Sequence, residues 1–231
     1  SNKADIGFAF DGDGDRVGVV DNNGHEIFAD KIGLLIARNL ATEVSNSKFV
    51  IDVKSTSLFT TDEILKKNNS EVIFWKTGHS YIKRKTSNIN ATAGFERSGH
   101  FFFNNPIGRG YDDGILSALE ILKILDKNEN QTIADLYNQL TNTFSSPTMS
   151  PKCPEESKYK LVEKLEEIFQ HKKKNNETVA GQKILSILTV NGVRIHLEDG
   201  SWGLVRASSN SPNLVVVCES NISEERMKEV F

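Results

Sequence analysis

Phe49-Val50-Ile51-Asp52-Val53 (residues 49–53) is a short apolar run rich in β-branched residues, and it stops at a charged residue, Lys54. A run of that length and composition suits a buried strand. Residues 57–67 then read as a helix, and Val72-Ile73-Phe74-Trp75 reads as a second strand. Strand, helix and strand in that order form a βαβ unit. The same alternation extends outward. Upstream, Asp30 can cap a helix that carries Ile32, Leu35, Ile36 and Leu40 at helical spacing. Downstream, a short helix follows Gly78, strands cover 92–95 and 99–103 around a tight loop, and Asp112-Asp113 can cap a helix with Ile115, Leu116, Leu119, Leu122 and Leu125. A further helix covers about 133–140. The expectation for 29–145 is an α/β domain: a mixed, mostly parallel sheet with flanking helices.

Pro147, Pro151 and Pro154 then mark 146–156 as a linker. Beyond it a helix at 159–169, a lysine-rich loop at 172–176, strands at 184–190, Val193–Leu197, 202–206 and 214–218, and a last helix at Glu224–Val230 describe a small α+β domain over 157–231.

Composition excludes several function classes. The 231 residues hold 28 Lys and Arg against 31 Asp and Glu, a net charge of -3, so no global basic field exists for nucleic acid. No apolar run approaches the ~18 residues that span a bilayer. Two distant cysteines, Cys153 and Cys218, argue against zinc or a disulfide scaffold and for a reducing, cytoplasmic setting. The chain opens almost at once on a strand, residues 6–10, which suggests that it continues a longer protein.

Between that strand and the next, Val17–Val20, lies Asp11-Gly12-Asp13-Gly14-Asp15-Arg16. Alternate residues of extended chain point the same way, and glycine allows the turns that gather them. Three carboxylates so close repel unless a cation sits among them, and oxygen ligands suit a hard divalent ion. An EF-hand is excluded, because its sixth and twelfth positions would be Arg16 and Asn22. An ordinary surface turn is the plainer alternative. Asn22-Asn23-Gly24 then turns the chain into a hairpin with 25–28.

Three further polar clusters follow strands: Lys54, then Thr77-Gly78-His79-Ser80, then Glu96-Arg97-Ser98-Gly99-His100. Ligands of open α/β sheets collect at the carboxyl ends of strands, so these three can form one site. Taken singly, Lys54 reads first as a solvated lysine and each histidine as a structural or exposed one. In the last domain, Arg206-Ala207-Ser208-Ser209-Asn210-Ser211-Pro212 is either a polar hairpin turn or a cradle for a phosphate ester.

These segments, in this order, resemble the α-D-phosphohexomutase family, nearest its phosphomannomutase/phosphoglucomutase branch. The matching stretches are Asp11 to Arg16, Asp52-Val53-Lys54, Trp75-Lys76-Thr77-Gly78-His79-Ser80, Glu96-Arg97-Ser98-Gly99-His100, Gly110-Tyr111-Asp112-Asp113-Gly114, and Trp202-Gly203-Leu204-Val205-Arg206-Ala207-Ser208. Phe95 stands where the family has glycine, Arg97 fills a variable position, and Ser209-Asn210-Ser211-Pro212 departs from the branch's Asn-Thr-Thr-Pro. The resemblance implies a four-domain enzyme that interconverts hexose 1-phosphate and hexose 6-phosphate of glucose or mannose. A phosphoserine and a hexose 1,6-bisphosphate intermediate carry the transfer.

On that reading, residues 1–28 end the second domain, 29–145 are the third and 157–231 the fourth. Asp11, Asp13 and Asp15 would hold Mg²⁺, and Arg16, Lys54, His79 and His100 would be catalytic. Glu96 and Ser98 would grip sugar hydroxyls, and Arg206, Ser208, Ser209 and Asn210 the phosphate that does not react. The family's serine motif, Thr-X-Ser-His-Asn-Pro, does not occur in these 231 residues. The expectation is that they need the preceding domains of the same enzyme and are inactive alone. Alternatives are a phosphoglucosamine mutase, or a non-catalytic module binding a sugar phosphate or divalent cation.

Overall fold

The computed structural model describes residues 3–231. It divides into two compact units, 1–140 and 141–231.

In the first unit, β1 (Gly7–Phe10), β2 (Val17–Val20) and β3 (Glu26–Ile27) form a three-stranded antiparallel sheet. Helix α1 (Ala29–Glu43) leads to β4 (Lys48–Asp52). Next come α2 (Leu58–Thr61), α3 (Glu63–Lys67), β5 (Glu71–Trp75), α4 (His79–Asn88), β6 (Ala93–Phe95) and β7 (Phe101–Phe103). The unit closes with α5 (Gly114–Lys127) and α6 (Ile133–Asn138). The second sheet has the order β5-β4-β6-β7; β4 pairs in parallel with β5 and β6, and β7 is an antiparallel edge. This is the mixed, mostly parallel sheet with flanking helices that the apolar runs imply.

Strand β4 shows why the sheet is covered twice. Successive side chains of a strand face opposite ways. Phe49 and Ile51 join the core with Leu34, Leu40, Phe59, Phe95 and Ile121, whereas Val50 packs with Ile82, Ala91 and Phe102. Phe95 fills the first of these cores, its ring meeting Phe49, Phe59, Phe101 and Phe103 at centroid distances of 5.3 to 6.2 Å. Burying a phenylalanine contributes about 1.5–3 kcal/mol. Gly33 accommodates it, because a Cβ there would lie 3.1 Å from the Phe95 ring.

Several local expectations are corrected. Asp30 is not a cap: Phe28 precedes the first turn of α1, and buried Asp30 accepts from the Thr56 N–H at 2.8 Å. The 57–67 helix is two helices, since Asp62 is extended and caps α3 by accepting from Ile64 N and Leu65 N. Asp113 alone caps α5. That helix buries Gly114, Ser117, Ala118, Ile121 and Ile124, leaving Ile115, Leu119 and Leu122 at 64%, 55% and 42% exposure.

The second unit contains β8 (Phe144–Ser145), α7 (Glu155–Lys174), β9 (Thr178–Val179), β10 (Gln182–Leu188), β11 (Val193–Leu197), β12 (Trp202–Ala207), β13 (Leu214–Ser220) and α8 (Glu224–Val230). Its sheet is antiparallel throughout, in the order β8-β13-β12-β11-β10-β9. Register places Val193, Val205 and Val216 side by side, and α7 (Val162, Leu165) and α8 (Met227) pack against cores containing them. The stretch 146–156, expected as a linker, is pinned to this sheet: Ser146 N bonds to Cys218 O, Met149 and Val216 exchange bonds, and Cys153 N bonds to Pro212 O. Lys172–174, expected in a loop, end α7. Among the described residues no helix is long and apolar enough to cross a membrane.

Gly94 is where α4 meets β6. A Cβ there would lie 2.4 Å from Thr86 Oγ1 and 2.8 Å from Ile82 Cγ2. Gly94→Ala is expected to destabilise the first unit by about 2 kcal/mol, the usual cost of overpacking. Urea unfolding followed by circular dichroism measures this; a loss below ~0.5 kcal/mol would show that α4 shifts freely.

Candidate functional site

Asp11 to Arg16 connects β1 to β2, whose pairing closes at Phe10 and Val17. The loop is tied to two other segments by backbone. Arg16 forms an antiparallel bridge with His100, Val17 N bonds to Gly99 O at 3.3 Å, and Gly114 N bonds to Gly14 O at 3.0 Å. Both glycines are required by contact: a Cβ on Gly99 would lie 2.9 Å from Val17 O, and one on Gly114 would lie 2.7 Å from Gly14 O.

Asp11, Asp13 and Asp15 each offer a carboxylate oxygen, and these oxygens lie within 4.8 Å of one another. Arg16 Nε donates to Asp11 Oδ2 at 2.6 Å, and this hydrogen bond holds the Asp11 carboxyl at about 2. Asp15 is driven the other way. Burial raises it above the usual carboxylate range, with Asp13, Asp11 and Asp112 adding to the rise, while His100 opposes it. Its Oδ1 is buried and accepts no hydrogen bond. An all-oxygen donor set with a buried, unsatisfied carboxylate atom fits a hard divalent cation.

His100 links this loop to the next. Its Nε2 lies 3.4 Å from Asp15 Oδ1, and its Nδ1 lies 3.0 Å from Ser98 Oγ, which donates to Glu96 Oε2 at 3.2 Å. The His79 ring stacks on it at 5.7 Å between centroids, 23° from parallel. Burial lowers the pKa of His100, against the pull of Asp15 and Asp112. Burial raises Glu96 to about 7, the charge of Asp52 adding to this and Lys54 opposing it. Lys54 Nζ lies 3.5 Å from Asp52 Oδ2. All the residues expected to be functional in the first unit therefore fall in one connected cluster.

Two members of that cluster escaped the sequence reading. Asp52, fully buried at the end of β4, accepts from Ser55 Oγ at 2.6 Å, Thr77 Oγ1 at 3.2 Å and Arg97 N at 3.4 Å. It thus joins three loops. Asp112 lies 3.5 Å from His79 Nδ1 and 3.1 Å from Lys83 Nζ. An acid at the very end of a buried apolar strand was the available signal for Asp52; for Asp112 the capping role assigned to the Asp-Asp pair concealed it. Arg97 reaches elsewhere, its guanidinium bonding Lys54 O at 3.2 Å and lying over the Phe28 ring.

In the second unit, Arg206 is the next-to-last residue of β12 and its Nη1 donates to Ala207 O. Ser208 is buried, its Oγ 3.0 Å from Ser211 Oγ and accepting from Asn210 N at 3.3 Å; Ser209 and Asn210 are exposed.

Residues 28–144 match the family model for phosphoglucomutase/phosphomannomutase α/β/α domain III, and 152–231 match that for the phosphoglucomutase/phosphomannomutase C-terminal domain. The chain belongs to the phosphoglucomutase/phosphomannomutase family. A phosphomannomutase/phosphoglucomutase of Pseudomonas putida is 36% identical over 99% of this chain and 46% of its own length. A phosphoglucomutase of Neisseria gonorrhoeae is 34% identical over 99% of this chain and 47% of its own. A solved phosphoglucomutase/phosphomannomutase family protein from Burkholderia thailandensis superposes with a TM-score of 0.79 at 30% identity, covering 98% of this chain and 44% of that one. N-acetylphosphoglucosamine mutase of Aspergillus fumigatus, in complex with GlcNAc-6P and magnesium, shares the fold at a TM-score of 0.65 and 14% identity, over 96% of this chain and 46% of its own. The chain spans about half the length of the curated relatives it matches.

In this member of the phosphoglucomutase/phosphomannomutase family Glu96 has a measurable signature. A carboxyl raised from 4.5 to about 7 in the fold holds its proton longer folded than unfolded. Its contribution is complete below about pH 4.5 and is lost as pH rises through about 7. Glu96→Gln is expected to flatten the decline in stability across that window, by at most about 3 kcal/mol at ~1.4 kcal/mol per pKa unit. Denaturant midpoints from pH 4.5 to 8 check this; parallel curves for the two proteins would place Glu96 in a solvated setting.

Proposed function

We propose that this chain is the metal- and sugar-phosphate-binding part of a phosphohexose mutase that interconverts the 1- and 6-phosphates of glucose or mannose. The observation that carries the reading is the unbroken chain of contacts from Asp15 through His100 and Ser98 to Glu96, which joins a cation cradle to a group able to grip hydroxyls. Residues 1–28 are assigned to the end of the second domain of the whole enzyme, 29–145 to the third and 157–231 to the fourth. The transferred phosphoryl would sit on a serine outside these residues, and a hexose 1,6-bisphosphate would be the intermediate. Both cysteines are free and buried, which agrees with a cytoplasmic setting.

Phosphoryl transfer calls for charge stabilisation and positioning more than for new covalent chemistry. Asp11, Asp13 and Asp15 would hold Mg²⁺, which when bound neutralises phosphoryl oxygens. Arg16 is half exposed beside that cradle, so its guanidinium can fork onto an arriving phosphate while Nε stays on Asp11. Lys54 sets positive charge against Asp52 under the sugar loop. His100 and His79, stacked and each flanked by a carboxylate, can hold or pass a proton to a sugar hydroxyl. Glu96 and Ser98 accept and donate to hydroxyls that glucose and mannose share. In the second unit Arg206, Ser208, Ser209 and Asn210 would hold a phosphate ester that is not reacting.

The chain alone, with Mg²⁺ and glucose 1-phosphate, is expected to give no glucose 6-phosphate above background in a dehydrogenase-coupled assay. Calorimetry on the same sample is expected to show saturable glucose 6-phosphate binding. Turnover by the chain alone, or no binding at all, would contradict the proposal.

A further inference from the structure

Helix α7 buries a lysine in full, directly beneath the 206–211 loop. Lys158 has no exposed surface, and its Nζ has three acceptors: Ser208 O at 2.5 Å, Glu155 Oε2 at 2.7 Å and Ser211 O at 3.1 Å. An ammonium has three protons, so its donors are all used. Nζ also lies 5.1 Å from the centre of the Tyr159 ring. Desolvating an ammonium costs several kcal/mol, and its one anionic partner here, Glu155, is 63% exposed and so screened by water. A neutral packed side chain would serve a purely structural role at lower cost, so the retained charge needs another explanation.

The backbone supplies one. Ser208 and Ser211 both turn their carbonyls inward onto the ammonium. The bond between residues 208 and 209 is trans, which sets the Ser209 N–H opposite the Ser208 carbonyl. Drawing that carbonyl down to Lys158 therefore turns the Ser209 N–H toward the exposed side, where Ser209 and Asn210 lie. The loop is closed from below by Ser208 N to Asn213 O at 3.0 Å and Cys153 N to Pro212 O at 2.9 Å. Carbonyl oxygens repel an anion, and here two of them are withdrawn from its path.

We infer that Lys158 is a positioning residue for the anion loop of the second unit: it points the loop's carbonyls away from a bound phosphate ester and adds behind it a positive charge that the solvent-screened Glu155 only partly offsets. This rests on the proposed reading of residues 206–211 as a phosphate-binding loop.

The test uses the 231-residue chain with glucose 6-phosphate, read by calorimetry and by backbone-amide NMR shifts at 206–211. Lys158→Met keeps the length and removes the charge; it is expected to weaken binding at least tenfold, with the largest loss of shift at Ser209. Glu155→Gln keeps an acceptor for Lys158 but removes the opposing charge. It is expected to tighten binding two- to threefold at low salt and to lose that gain at high salt, which a merely structural lysine would not produce. Glu155 is exposed enough that this variant decides the matter if Lys158→Met does not fold. Unchanged affinity in Lys158→Met, or unchanged or weaker binding in Glu155→Gln, overturns the inference. Arg206→Ala separates the two levels. If it too leaves affinity and loop shifts unchanged, the reading of the loop itself fails. If it weakens binding while the other two variants match the parent, only the role of Lys158 fails.

Discussion

Three segments of chain cross backbone on backbone where Gly99 and Gly114 lack side chains, and the arrangement of the first unit's site depends on that crossing. Gly99 carries φ of +95° and lies against Val17; Gly114 lies against the carbonyls of Gly14 and Arg16. Any side chain at either point would push the aspartate loop off the 96–100 loop or off the start of α5. With both present, Asp15, His100 and Asp112 are brought within 4.8 Å. Residues from three separate parts of the sequence thus share one electrostatic environment.

That environment separates the acids by role. The hydrogen bond from Arg16 holds the Asp11 carboxyl at about 2, so it is ionised at neutral pH. Asp15 is half-buried among like charges, its Oδ1 covered, and is raised. Glu96 is raised to about 7 by burial and by Asp52. Neighbouring carboxyls with opposite shifts are a common way for a fold to run acid and base chemistry near neutral pH. The strain of gathering them is held by rigid elements: the β1–β2 hairpin on one side and the buried β4–β6 pair on the other.

Much of this was legible in the residue order. The α/β alternation follows from runs such as 49–53 and 72–75, whose length and branching leave little choice. The polar residues at 11–16 stand out between two strands, and Lys54, 77–80 and 96–100 by their places after strands, and the structure gathers them. What was not legible depended on packing. Helix α5 carries two candidate faces, and the bulkier one, Ile115, Leu119 and Leu122, was the natural choice by hydropathy. The helix instead buries the face of Gly114, Ser117, Ala118, Ile121 and Ile124, with Gly114 bare where the aspartate loop comes close. Asp62 breaks a helix by capping its second half, a choice that periodicity does not show. Asp52 is marked in the sequence only by standing at the end of an apolar strand, and the capping pair Asp112-Asp113 hides the contact of Asp112 with His79 and Lys83. The 146–156 stretch looked like a linker because of its prolines, yet prolines also suit a strap whose carbonyls and spaced N–H groups meet a sheet edge.

The central claim is that the clamped carboxylates form a cradle for one divalent cation. Titration calorimetry of Mg²⁺ into the chain tests it directly, in parallel with Asp15→Asn. The account predicts one saturable site in the parent chain and binding at least tenfold weaker in the variant. No measurable binding in the parent, or equal affinity in both, would contradict it.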